Sequence, residues 1–112
     1  MRCVNTMKGL RFAGDSLRII KQFPKKAKRH IGSQLLNIQH GGEPDNWKPM
    51  KTIGKGVKEL RTRVSDGTYR TIYITTLCDT VYVLHAFQKK AQKTPQRDID
   101  LATKRLTQIL RI

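Results

Sequence analysis

The chain has 112 residues, of which 23 are Lys or Arg and 8 are Asp or Glu, for a formal net charge of +15. That length suits one domain over 1–112 with one modest core, and a hydrophobic share of 38% is too high for a disordered basic tail. The charge excess opposes compaction by self-repulsion and favours anionic partners: nucleic acid, a membrane surface or an acidic protein.

Other classes drop out quickly. Cys3 and Cys78 form no CxxC motif and join no Cys/His cluster with metal-ligand spacing. No metal or cofactor is expected, and the low cysteine count suits a reducing compartment. The N-terminal MRCVNTMKGLRFAGDS lacks an apolar core of signal-peptide length. No run reaches the roughly 18 apolar residues a membrane span needs. The expected setting is cytoplasmic, without membrane contact.

In chain order, residues 10–13 suit a short edge strand before Gly14. Asp15 or Ser16 can cap a short helix carrying Leu17, Ile20 and Phe23 at helical spacing. Pro24 ends it and can start a second helix, with Ala27, Ile31, Leu35 and Ile38 on one face and Gly41-Gly42 as its stop. After a loop the period changes to two. A strand over 48–53 is expected at a sheet edge, because Pro49 lacks a ladder donor. Strands over 57–64, 69–77 and 80–88, joined by short turns, make an antiparallel meander. Thr94 as N-cap and Pro95 in the first turn open a last helix, with Asp98 and Asp100 near its positive end and Ile99, Ala102, Leu106, Ile109 and Leu110 as its apolar stripe. The order two helices, meander, helix predicts an α+β domain with about four antiparallel strands and the helices on one face.

Parity sorts the strand side chains by face. Glu59, Arg61, Arg63, His85, Phe87 and Lys89 can share one side, joined by Arg70 or by the tyrosines according to register. Cations mixed with aromatic rings suit RNA, since rings stack on unpaired bases while cations hold phosphates. Each residue also has a plainer reading. Tyr73 and Tyr82 fit the core, His85 a packed and satisfied histidine, Arg63 a solvated arginine, and Lys25, Lys26, Lys28 and Arg29 a wet helix face.

The motifs VKELR, GTYRTIY and VYVLHAFQKKAQKTPQRDIDLATKRL, preceded by GDSLRIIKQFP, IGSQLLNIQHGGEP and KPMKTIGKGVKEL, occur in that order. In this combination the chain resembles the phage-derived branch of the RelE-like toxins, which includes HigB-type toxins of type II toxin–antitoxin pairs, from about Gly14 to Arg111. The resemblance implies a RelE-like fold and a ribosome-dependent mRNA endoribonuclease. It also implies a metal-independent reaction, in which a 2′-hydroxyl attacks the adjacent phosphate, and a cognate helix-turn-helix antitoxin as partner.

By motif match, Arg61 and Arg70 are the phosphate ligands. Lys89 and Lys90 stabilise charge or protonate the leaving 5′-oxygen, Lys93 grips backbone, and Phe87 stacks on a base. His85 and Glu59 are both open as general base, and Glu59 equally as structural partner of Arg61 or Arg63. Alanine at Arg70 or Lys90 is expected to reduce cleavage far more than stability. Two other classes compete: a ParE-like gyrase poison acting by binding, and a basic nucleic-acid-binding phage accessory protein.

Overall fold

The computed structural model describes residues 7–76 and 80–110. Cys3, Cys78 and the expected end of the 69–77 strand at Leu77 lie outside the described residues. The chain runs β1 (Gly9–Phe12), α1 (Ser16–Lys21), α2 (Lys25–Gln39), β2 (Trp47–Pro49), β3 (Val57–Val64), β4 (Gly67–Thr76), β5 (Thr80–Lys89) and α3 (Gln96–Leu110). The α+β class and the element order are those expected.

Local chemistry explains the helix pair. Pro24 (φ −54°, ψ 149°) stands at the N-cap of α2, where no backbone donor is required. Ala27, Ile31, Leu35 and Ile38 recur at three- and four-residue intervals and all are buried. Gly41 ends the helix in the left-handed region (φ 92°), and its N–H donates to the Ile38 carbonyl at 2.9 Å.

The sheet has five strands in the order β1-β5-β4-β3-β2. β3, β4 and β5 form the expected meander, and β2 pairs antiparallel with β3. β1 pairs parallel with β5, so the sheet is mixed rather than wholly antiparallel. Only a long crossover can bring two strands side by side in parallel, and α1 and α2 form part of it. β2 is shorter than the expected 48–53 strand. Past Pro49 the chain turns: Met50 N–H donates to Val57 O at 2.8 Å, and Ile53 N–H returns to Met50 O at 3.0 Å. Both side chains then enter the core.

The helices do not share one face. α1 and α2 cover one side, where Ile20, Ile31, Leu35 and Ile38 pack on Leu60, Tyr73, Val83 and Ala86. α3 covers the other, where Ala102 and Leu106 pack on Val57, Ile72 and Leu84. Both sides of the central strands carry apolar side chains, so each needs its own layer. Tyr73 is fully buried, and that burial raises its hydroxyl pKa above the ordinary value; Tyr82 packs against the α3 core.

Strict alternation fails in β5. Ile72 pairs with His85 but Tyr73 pairs with Val83, leaving Leu84 as an extra residue in a β-bulge. Val81 and Val83 therefore face α2, whereas Leu84 packs beneath α3 and His85 bonds to it.

Candidate functional site

The register settles which residues share the α3 side. Arg61 pairs with Arg70 and Arg70 with Phe87, while Arg63 pairs with Thr68 and Thr68 with Lys89. Glu59 pairs with Ile72, Ile72 with His85, and Lys48 of β2 with Glu59. Directly paired residues point the same way. Arg70 joins this surface, and Tyr69 and Tyr73 lie on the opposite one.

Glu59 is fully buried and organises its neighbours. Its Oε1 accepts from Arg70 Nη1, and its Oε2 accepts from the Thr94 hydroxyl at 3.0 Å. Lys48 Nζ stands 3.9 Å from Oε1. The structural partner of Glu59 is thus Arg70, reached across the strand pair, rather than Arg61 or Arg63. Arg70 is itself buried, with its Nε lacking a hydrogen-bond partner among the described residues. Removing one member of such a pair strands a buried charge. Arg70→Ala is therefore expected to lower stability as well as any cleavage.

His85 is buried under α3. Its Nε2 lies 2.7 Å from Asp98 Oδ1, and its ring stacks on Phe87 at 5.5 Å between centroids and 21° between planes. Nδ1 is buried with no partner among the described residues. This geometry fits the packed histidine. Phe87 is half-buried, with one ring face taken by His85.

Beyond the edge of α3 the same sheet surface opens into a cleft of about 400 Å³. Arg63, Arg70, Lys89 and Lys90 line it together with Thr68, Ala91 and Gln92, and none of these is a carboxylate. Lys89 sits near four other charged side chains. Partial burial holds its ammonium below the usual lysine pKa, helped by the charges of Arg70, Lys48 and Arg61 and opposed by Glu59. Arg61 is half-buried with its Nε unpartnered among the described residues.

Two expected residues lie beside the cleft rather than in it. Lys93 lines an adjoining groove with Lys48, Lys51 and Thr94. Phe87 lines a depression on the other side of the β5–α3 loop, with Arg97 and Asp98.

Lys48, Thr94 and Asp98 were missed as site residues. Thr94 and Asp98 each had a local reading that absorbed it. Thr94 passed for a helix cap, yet α3 starts at Gln96 and the hydroxyl holds Glu59. Asp98 passed for a dipole partner, yet it holds His85.

A family profile described as phage-derived protein Gp49-like matches residues 6–107. The chain belongs to this family. The Gp49-like proteins are RelE-like toxins. No curated protein matches this Gp49-like chain. Among solved structures, the Escherichia coli toxin RelE, an arginine-to-alanine double mutant in the free state, superposes with a TM-score of 0.64 at 13% identity, covering 93% of this chain and 99% of that one. At that identity the likeness is one of fold. Among the described residues, no helix is long and apolar enough to cross a membrane.

Proposed function

We propose that the protein is the toxin of a type II toxin–antitoxin pair, a HigB-like, ribosome-dependent mRNA endoribonuclease acting in the cytoplasm and held in check by a helix-turn-helix antitoxin. The observation that carries this reading is the cleft: four cations and no carboxylate converge on a RelE-type sheet, one of them a lysine with a lowered pKa.

In the proposed reaction the 2′-oxygen of one nucleotide attacks the adjacent phosphorus and the P–O5′ bond breaks. The products are a 2′,3′-cyclic phosphate and a free 5′-hydroxyl. Negative charge grows on the phosphoryl oxygens, where fixed cations act most strongly. Arg63 and Lys90 are exposed and able to reach a phosphate. Arg70 supplies a positive floor, and Arg61, paired with it on β3, adds charge from outside the lining. Lys89, with its weakened hold on its proton, donates to the leaving 5′-oxygen.

The 2′-hydroxyl loses its proton to water in the open cleft. Glu59 is buried and committed to Arg70 and Thr94, and His85 is buried and committed to Asp98.

Translation reactions programmed with a defined mRNA and read by primer extension test this. Cuts that need both ribosomes and the protein are expected, and their loss in Lys89→Met, with folding intact, assigns them to the cleft. Inhibited DNA supercoiling with mRNA left whole would replace the reading with a ParE-like gyrase poison. Salt-dependent binding to any nucleic acid without cuts would leave a binding module.

A further inference from the structure

Two depressions adjoin the cleft, one on each side of the β5–α3 loop. The one toward β5 is bordered by Asp98. The one toward β2 measures about 640 Å³, has three lysines (Lys48, Lys51 and Lys93) on its rim, and has no carboxylate among its lining residues. Its apolar wall comes from Pro49, Met50 and Ile99.

This groove is tied to the cleft in two ways. Gln92 lines both. The Glu59 carboxylate bonds Arg70 on the cleft side and Thr94 on the groove side, with Lys48 beside it. The two therefore share one buried anchor and keep a fixed spacing.

We infer that the groove is a flanking nucleotide subsite, in which single-stranded RNA leaving the cleft lays a base on the Pro49–Met50–Ile99 wall and its phosphates against Lys51 and Lys93. Apolar surface beside cations is the chemistry that holds an unpaired base and its backbone together. The inference rests on the cleft being an RNA site and adds the direction the strand takes: past Gln92 toward β2, away from Asp98.

Binding of fluorescent 2′-O-methyl RNA, which lacks the attacking hydroxyl, separates this from cleavage. A trinucleotide fills the cleft, and a hexanucleotide also reaches the groove. The Lys51→Ala/Lys93→Ala pair is expected to weaken hexanucleotide binding about tenfold, to lower its salt slope by about 1.4 (roughly 0.7 per lysine), and to change trinucleotide binding less than about twofold. The control pair Lys25→Ala/Lys26→Ala on α2 removes the same charge from the far face and is expected to change neither.

Equal losses for both lengths, or an equal loss in the control pair, would overturn the inference. So would unchanged hexanucleotide binding in the Lys51→Ala/Lys93→Ala pair; lost retention of polyglutamate beside it would make the groove an acidic-peptide site. If ribosomal cleavage fails while the length dependence holds, the endoribonuclease reading falls and the subsite stands.

Discussion

The two faces of the sheet differ in the charge they bury. Beneath α1 and α2 the covered side chains are neutral: Leu60, Thr62, Tyr69, Thr71, Tyr73, Val83 and Ala86. Beneath α3 the surface changes along its length. Val57, Ile72 and Leu84 are apolar, Glu59, Arg70 and His85 follow as buried polar groups, and Arg61, Arg63 and Lys89 lie beyond. One face supplies hydrophobic stability. The other spends part of its burial on fixing charges, an arrangement seldom chosen for stability alone. A folded chain can then hold like charges close together because a buried counter-charge and a rigid strand pair restrain them.

The largest effect that sharpens this contrast is expected from Arg70→Ala. It leaves Glu59 buried with Lys48 as its remaining cation, and a loss of about 3–5 kcal/mol in urea unfolding is expected. Adding Glu59→Leu to make an uncharged pair is expected to restore most of that stability and none of the cleavage. A loss below about 1 kcal/mol for Arg70→Ala alone would show that the pair is not sequestered.

Leu60→Ala, on the neutral face, is expected to cost about 2–5 kcal/mol and to leave cleavage per folded molecule unchanged. A selective loss of cleavage at full folding would break the division between faces.

Lys89→Met reverses the pattern. Cleavage is expected to fall about 100-fold or more, with no loss of stability. The sign of its pH dependence follows from the lowered pKa. At neutral pH the lysine is charged in both folded and unfolded chains, and the fold disfavours that charge. As pH rises through the folded pKa the folded lysine releases its proton first, so this contribution to stability rises with pH. Comparing unfolding curves of wild type and Lys89→Met across the alkaline range should show wild type gaining on the variant. The reverse slope would refute the shift.

The smallest effect is expected at the periphery. Asp15 is held below the ordinary carboxylate pKa chiefly by its hydrogen bond from Arg105, at 2.7 Å. A depressed carboxyl stabilises above its unfolded pKa and loses that contribution as pH falls through the folded value. Asp15→Asn should therefore cost up to about 1 kcal/mol at neutral pH, and the difference from wild type should shrink on acidification.

The same contrast explains what the sequence made legible. Helical spacing in α2, the Pro24 and Gly41 punctuation and the period-two runs of β3 to β5 are local signals, and each gave an element close to the observed one. Lys89 and Lys90 came forward as site candidates by motif match, because a charge cluster after an apolar strand reads equally well as a solvated edge. What resisted reading depends on partners far along the chain. Glu59 gave no sign of whether it would meet Arg61, Arg63 or Arg70, since that choice rests on strand register. Lys48 was legible only as the start of an edge strand, since its place opposite Glu59 rests on how β2 aligns on β3. The second layer could not be foreseen either, because an apolar stripe on α3 does not say which side of the sheet it will cover.

The extra residue at Leu84 acts as a phase shifter within one strand. Residues 81–83 are in step with the hydrophobic layer under α2, while residues 85–89 are in step with the cationic surface, and the two stretches are offset by one position. A single strand thereby serves two alternation codes. Substitutions that repack the core upstream of Leu84 need not change which way His85, Phe87 and Lys89 point.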